Sequence, residues 1–274
     1  MNSGVFGLNE HNEYIAWAPH AHHTLVAGGT GSGKTSTTYA MLAGAASDHT
    51  VQIVGVDPSS LLLAPFQEKS GEGLVEVGTR YLGAAALLLE RVVDLMDTRT
   101  ERLSELQVDV WPLAKSHPRI LVVLEEYGGL LAACESQDGL ADKAQGRLKP
   151  RVVRAVGRLL REGRKSGILV FTIIQRPDAQ VIGGSDRSQY SRRIAHRLDN
   201  SDGVRMLFEH AHSDLAVRLS EAMPGVGYLQ EPGTKISQFR SFHVDYRTYL
   251  RLVSHRYRST QIAGLSPSQE WKTP

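Results

Sequence analysis

The apolar positions of the chain alternate between short continuous runs and longer stretches with helical spacing. Four runs rich in Val, Ile and Leu predict strands buried on both faces, at residues 24–27, 51–56, 119–124 and 168–174. Between them apolar residues recur every three or four positions, most regularly over residues 81–106, which predicts a long helix. This alternation predicts an α/β fold with a mostly parallel, twisted sheet and helices on both of its faces.

The last third of the chain has a different pattern. Residues 226–230 and 238–244 flank Pro232-Gly233 and predict a C-terminal β-hairpin. No repeat or low-complexity tract interrupts the chain, so we predict a single domain over residues 1–255. The polar residues 256–274 are expected to form a loose tail.

Composition excludes several classes of protein. The 274 residues include 31 Lys and Arg against 29 Asp and Glu, so the net charge of +2 indicates no partner, and any nucleic-acid surface must be a local cluster. The single cysteine, Cys134, excludes an internal disulfide and Cys-based zinc fingers. No apolar run approaches the roughly 20 residues of a membrane span, and the first residues lack a signal-peptide pattern. We therefore expect a soluble, cytoplasmic protein.

A phosphate-binding loop is the strongest motif in the chain. Residues 28–35, Gly-Gly-Thr-Gly-Ser-Gly-Lys-Thr, match the P-loop pattern G-x-x-x-x-G-K-[ST] in full, between a predicted strand and a predicted helix over 34–46. The glycines let backbone N–H groups converge on phosphates at the helix N-terminus. Lys34 adds a positive charge, and the Thr35 hydroxyl is positioned to bind Mg²⁺. The predicted nucleotide-binding residues are Gly28, Gly29, Thr30, Gly31, Ser32, Gly33, Lys34, Thr35 and Ser36.

Polar residues end two of the predicted strands. The strand at 119–124 runs into Glu125-Glu126, the form of a Walker B element: the first acid would hold Mg²⁺, and the second would orient or deprotonate the attacking water. The strand at 168–174 runs into Gln175, whose amide is placed to sense the γ-phosphate. The alternative for each is an ordinary solvated strand end. A second adjacent acid favours hydrolysis over nucleotide binding alone.

A basic stripe follows Pro150. Its members are spaced three or four residues apart on one helix face, and they are Arg151, Arg154, Arg158, Arg161 and Lys165. A stripe of one sign repels itself, which favours an anionic partner: nucleic-acid phosphate, or the nucleotide of a neighbouring subunit met by an arginine finger. The alternative is the solvated face of a helix that packs on the core.

With these motifs the sequence resembles the motor domain of the FtsK/SpoIIIE DNA-translocase family. The resemblance rests on residues 22–35, 119–131, 163–184 and 225–234, with 192–208 matching a further family stretch, and it covers roughly residues 4–245. It implies a RecA-like ATPase that uses ATP and Mg²⁺, assembles as a ring, usually a hexamer, and pumps double-stranded DNA through its pore.

The resemblance also implies roles for single residues. Lys34 and Thr35 would bind ATP and Mg²⁺, Glu125 would hold the metal, Glu126 would be the catalytic carboxylate, and Gln175 would be the sensor. The arginines implied to face the adjacent subunit are Arg158 and Arg164, with Arg161 a third candidate, and those implied to contact DNA are Arg176, Arg187 and Arg192.

The sequence departs from the family pattern at several positions. Glu125 stands where the family usually has Asp, and Gly128-Gly129 replaces a bulkier pair. Two other functions stay open: a protein-secretion motor similar to the type VII ATPases, which share these motifs, and a ring subunit that binds ATP and hydrolyses it slowly. The expected partners are double-stranded DNA and further copies of the chain, with recruitment to a membrane complex also open.

Overall fold

The computed structural model describes residues 4–17, 19, 22–70, 73–140, 146–209, 211–258 and 265. The chain divides into two compact units. The first unit contains residues 1–48 and 171–256, and the second contains residues 49–170 and 257–274. The prediction of a single domain over residues 1–255 stays a prediction.

The described residues form helices and strands that alternate through most of the chain. In chain order they are β1 (Gly4–Asn9), β2 (Tyr14–Trp17), β3 (Thr24–Ala27), α1 (Lys34–Ala45), β4 (Val51–Asp57), α2 (Ala64–Ser70), β5 (Val75–Val77), α3 (Leu82–Leu106), β6 (Arg119–Leu124), α4 (Tyr127–Leu140), α5 (Leu148–Glu162), β7 (Ile168–Ile174), α6 (Gly184–Arg187), β8 (Arg192–His196), α7 (Ser201–Leu207), α8 (Ser213–Ser220), β9 (Val226–Gln230), β10 (Ser237–Ser241) and α9 (Tyr246–Arg256).

The first unit has a parallel centre and an antiparallel extension. Strand β3 pairs in parallel with the second half of β7 on one side and with β8 on the other. Beyond β8 the order continues through β9, β10, β1 and β2, all antiparallel. The predicted C-terminal hairpin is confirmed as β9 and β10, although its second strand ends at Ser241 rather than at residue 244. Strands β1 and β2 were not predicted.

Close backbone contacts hold helix α1 against the sheet of the first unit. A Cβ atom added to Gly4 of β1 would lie 2.6 Å from the Cα of Gly44 in α1, so two glycines allow the strand and the helix to touch. On the same helix, Tyr39 stacks on Tyr249 of α9, with ring centroids 4.2 Å apart. Helix α1, which begins at the P-loop lysine, is therefore fixed along its length.

The second unit is built on three parallel strands. Strand β4 pairs with β6 on one side and with β5 on the other, and every residue of β4 and β6 is buried. The first residues of β7 adjoin β6. The predicted long helix is confirmed as α3, which packs along α5. These parallel strands and their helices confirm the predicted α/β class.

The first residue after α9 that can be described does not behave as a loose tail. Tyr257 is 1% exposed, its ring packs edge-to-face on Phe66 at 4.8 Å, and its hydroxyl accepts a hydrogen bond from the amide of Gln52. Leu265 is buried as well. The expectation of a loose tail is therefore wrong at these two positions, because each buries an apolar side chain.

Candidate nucleotide-binding site

The P-loop begins between the carboxyl ends of two strands. The Gly28 N–H donates to the carbonyl of Ile174, at the end of β7, over 3.3 Å. The next N–H, that of Gly29, donates to the carbonyl of Arg197, which follows β8, over 2.9 Å. The parallel neighbours of β3 therefore hold the start of the loop from both sides.

The end of the loop rests on the turn before β9. Gly33 has a φ of 95°, in the left-handed region that favours glycine, and Gly31 has a φ of 71°. A Cβ atom on Gly33 would lie 2.7 Å from the Cα of Gly225 and closer still to its nitrogen. The N–H of Gly225 in turn donates to the carbonyl of Ser32 over 2.9 Å. Glycine is therefore required at Gly33 for two reasons, its φ and this close approach.

The side chains that follow the loop are placed as the motif predicts. Lys34, 8% exposed, is the first residue of α1, so it stands at the helix N-terminus directly after the loop amides. Thr35 is exposed, and its hydroxyl has no hydrogen-bond partner among the residues described. A lysine and an available hydroxyl at these two positions fit a nucleotide phosphate and Mg²⁺.

Ser36, predicted to bind nucleotide, uses its hydroxyl elsewhere. That hydroxyl accepts from the Val244 N–H at 2.6 Å and lies 3.1 Å from the carbonyl of Phe242. The side chain therefore joins the first turn of α1 to the segment after β10. A contact of Ser36 with a phosphate would then come from its backbone N–H.

His196 lies beneath the loop and was missed by sequence reasoning. It ends β8, is fully buried, and its Cβ would lie 2.8 Å from a Cβ built on Gly28. Its Nδ1 lies 3.2 Å from the carbonyl of Val226, which only accepts, so Nδ1 carries the hydrogen. Burial lowers its pKa from 6.5 to about 4; the bond to Val226 opposes this shift and the charge of Lys34 adds to it. The imidazole is therefore neutral near pH 7.

Gln175 is the predicted site residue that lies beside the P-loop. It is exposed, and it lines a small pocket together with Gly29 and Asp199. The other residues that line this pocket are Arg176, Pro177, Leu198 and Asn200. This placement is consistent with the predicted sensor role.

In the second unit, Glu125 and Glu126 occupy the junction between β6 and α4. The N–H of Glu125 donates to the carbonyl of Val56 over 3.0 Å, which continues the pairing of β6 with β4. Glu126 has a φ of 44°, a left-handed conformation that is unusual for any residue other than glycine and that clusters at functional sites. A Cβ atom on Gly129 would lie 3.2 Å from the Glu126 Cγ. The glycine at 129 therefore leaves room for this carboxylate.

Four of the five residues of the predicted stripe lie on α5, which ends at Glu162 before Lys165, and two of these four pair with acids within the same unit. The guanidinium of Arg151 makes two hydrogen bonds with the carboxylate of Glu90, at 2.7 and 2.6 Å. That of Arg158 makes two with Asp97, at 3.0 and 2.7 Å, and others with Glu162, which together raise its pKa. The interpretation of the stripe as a self-repelling surface is therefore wrong for these two arginines, since α3 supplies the acids.

The remaining predicted arginines differ in their exposure and in their side-chain partners. Arg164 is exposed, with no side-chain partner in the described part of the chain, and Arg161 is exposed as well. Arg176 is exposed, whereas the guanidinium of Arg192 pairs with Glu231 at 2.6 Å. Arg187 is half-buried. The contact of these last three arginines with DNA stays a prediction.

Among the described residues, no helix has both the length and the apolarity that crossing a membrane requires.

The chain is similar to proteins named as a transfer protein and as a DNA translocase. It is 26% identical over 269 residues to transfer protein TraSA of Streptomyces ambofaciens, covering 89% of this chain and 61% of TraSA. It is 24% identical over 247 residues to DNA translocase SftA of Bacillus subtilis, covering 85% of this chain and 24% of SftA. The chain thus spans less than two thirds of either relative.

Solved structures show the same fold. The conjugation coupling protein TcpA of pCW3, solved with ATPγS, aligns with a TM-score of 0.71 at 23% identity and covers 91% of this chain and 70% of its own. The cytoplasmic domain of the type VII secretion ATPase EccC of Thermomonospora curvata aligns with a TM-score of 0.69 at 17% identity, and the alignment covers 98% of this chain and 32% of the EccC chain. At these identities the likeness establishes a P-loop ATPase fold.

The family comparison gives the same result as the motifs. The model of the FtsK/SpoIIIE family matches residues 4–117, which include the whole P-loop and helix α1. With the relatives above, this match confirms the resemblance inferred from the sequence: the chain is similar to the FtsK/SpoIIIE family.

Proposed function

We propose that the chain binds ATP with Mg²⁺ at residues 28–35 and hydrolyses it. The observation that carries this proposal is the P-loop itself, with Gly31 and Gly33 in left-handed conformations and with Lys34 opening α1. When bound, Mg²⁺ supplies positive charge to the β- and γ-phosphates. The Thr35 hydroxyl is the oxygen ligand that we assign in the first unit, and the carboxylate of Glu125 is the second ligand that we assign.

Glu126 is the residue that we assign to the attacking water. A carboxylate that takes the proton of the water must lie within hydrogen-bond reach of it, and two features of Glu126 support this role. Its backbone is held at a φ of 44°, and the absence of a side chain at Gly129 leaves space for its Cγ. Gln175 would complete the site by a hydrogen bond from its amide to the terminal phosphate.

We further propose that copies of the chain assemble into a ring that moves double-stranded DNA. The support is the relation to the FtsK/SpoIIIE family and to a protein named as a DNA translocase. Among the arginines assigned to a neighbouring subunit, Arg164 fits best, because Arg158 is held by Asp97 and Glu162. Since cells hold their ATP in the cytoplasm, we expect this motor to work there.

The test is ATP turnover by the purified chain with and without double-stranded DNA. We expect DNA to stimulate turnover and to bind with little sequence preference. Affinity should fall steeply with salt, by a log–log slope of about 0.9 for each phosphate contact. Replacing Arg187 and Arg192 together should flatten this slope, whereas a control that replaces the exposed Arg205 and Arg240 should not.

Other results would point elsewhere. An unchanged slope in the Arg187 and Arg192 variant would place the DNA path on other residues. ATP turnover that responds to a secretion-substrate peptide, with no DNA affinity even at low salt, would favour a protein-secretion motor with the fold of EccC.

A further inference from the structure

Arg197 contacts the P-loop through both its backbone and its side chain. Its carbonyl accepts the Gly29 N–H over 2.9 Å, and its Nη2 donates to the carbonyl of Thr30 over 3.3 Å. A Cβ atom built on Gly31 would lie 3.8 Å from the same Nη2. The guanidinium group therefore lies alongside residues 30–31, in the same unit as the loop.

Arg197 forms no ion pair in the described part of the chain, although Asp199 lies near the loop, with its Oδ2 4.0 Å from a Cβ built on Gly29. Its neighbours on β8 are engaged: Arg192 pairs with Glu231, and Arg193 donates to the carbonyls of Tyr190 and Leu207. Arg197 makes one long hydrogen bond and no ion pair within the described part of the chain, although a guanidinium has five N–H donors. Most of its donors are thus available to an anion.

The position of Arg197 indicates which phosphate group of a bound nucleotide it can contact. Thr30 and Gly31 are exposed, whereas Ser32 and Lys34 are buried, so the guanidinium lies at the open edge of the loop rather than at its floor. In a P-loop the backbone amides enclose the inner phosphates, and the lysine reaches the β- and γ-phosphates. The terminal phosphate is therefore the one that the amides enclose least, and it is the phosphate that we place at the open edge of the loop. A guanidinium there can form paired, charge-assisted hydrogen bonds with phosphate oxygens.

We propose that Arg197 binds the terminal phosphate of the nucleotide in cis, from the same chain that supplies the P-loop. The proposal rests on the function proposed above, since it requires that this loop bind a nucleoside triphosphate. To reach the phosphate, the side chain exchanges its 3.3 Å bond to the Thr30 carbonyl for phosphate oxygens. Its backbone stays fixed through the bond from Gly29. Arg197 thereby makes the site prefer ATP to ADP.

The experiment compares ATP and ADP affinities of four proteins by calorimetry with Mg²⁺ present, at concentrations where light scattering shows monomer. All four carry Glu126→Gln, which prevents hydrolysis of ATP during the titration. They are the parent, Arg197→Ala, Arg197→Lys and the control Arg205→Ala, which removes an equally charged, exposed arginine of α7 in the same unit. Thermal unfolding of each confirms that it is folded.

The proposal predicts a loss that is specific to the triphosphate. Arg197→Ala should weaken ATP binding roughly 10-fold to 100-fold, the range for a hydrogen bond between charged groups, and ADP binding less than about twofold. The ATP affinity of Arg197→Lys should lie between those of the parent and Arg197→Ala, since lysine keeps the charge but lacks the planar guanidinium. Arg205→Ala should match the parent for both nucleotides.

Two results would overturn it. Equal losses of ATP and ADP affinity in Arg197→Ala would show that the residue shapes the loop instead of contacting the last phosphate. Unchanged affinities would show that it contacts no phosphate in cis. A failure of the proposed function is distinguishable from both, because the parent itself would then bind neither nucleotide.

Discussion

Acid should destabilise the protein through His196, whose neutral side chain is buried beneath the P-loop. Burial, with the nearby charge of Lys34, lowers its pKa from 6.5 to about 4 in the folded chain, even though the bond to Val226 opposes the shift. In the unfolded chain the imidazole is solvated and regains its usual pKa. The unfolded state therefore binds more protons than the folded state between these two pH values.

The size and sign of the effect follow from this difference in pKa. The contribution of neutral His196 to the free energy of unfolding is fully present above pH 6.5 and is lost progressively as the pH falls toward 4, because the pKa is lower in the folded state. At about 1.4 kcal/mol for each pKa unit, the fall from 6.5 to about 4 removes roughly 3 kcal/mol. That is a large part of the roughly 5–15 kcal/mol by which domains are stable.

The assay is urea unfolding at several pH values between about 7 and 4.5, with the wild type compared with His196→Gln. The glutamine keeps an N–H donor for the Val226 carbonyl and does not titrate. Carboxylates contribute equally to both proteins and cancel in the comparison. The exposed His212 provides the control, and His212→Gln should keep the slope of the wild type. The reasoning is refuted if the wild type and His196→Gln lose stability with the same dependence on pH.

Three further substitutions test the site and its surroundings. Gly33→Ala should lower the free energy of unfolding, measured with urea, by about 2–5 kcal/mol, because of its left-handed φ and its clash with the turn before β9. The control Gly183→Ala, with open space around the added methyl group, should change it by less than about 0.5 kcal/mol, and equal losses in the two variants would contradict the close packing. Glu126→Gln should bind ATP normally in a titration and stop turnover, and a comparable loss of ATP binding would argue against its catalytic role. A double-mutant cycle of Arg158→Ala with Asp97→Ala should give a coupling free energy of about 0.5–1 kcal/mol, and no coupling would mean that the pair leaves stability unchanged.

The buried parallel strands and the P-loop were the parts of the molecule that the sequence predicts best. Strands β3, β6 and β7 have the predicted ends, because a strand covered on both faces is a continuous apolar run with clear limits. Helix α3 differs from its prediction by one residue, since its apolar face repeats over 25 residues. For these elements the local pattern is sufficient.

Contacts between distant segments could not be predicted in this way. Glu90 and Asp97 lie 61 positions from Arg151 and Arg158, and the pairing becomes evident only when α3 and α5 lie side by side. The basic stripe therefore looked unpaired in the sequence.

His196 and Arg197 illustrate the same limit at the site. Nothing local marks either residue, and they reach the P-loop because β8 pairs with β3 across 168 positions, from Thr24 to Arg192. Their contacts with Gly28 and Thr30 depend on that pairing.

Movement along DNA can be measured by ATP-driven displacement of a third strand from a DNA triplex, since a motor that moves along a duplex removes a strand bound ahead of it. We expect displacement by the wild type with ATP and Mg²⁺, and none with ADP or with Lys34→Ala, which removes the charge at the start of α1. Hydrolysis of ATP by the wild type without any displacement, at DNA concentrations that saturate binding, would contradict the claim that this chain moves along DNA.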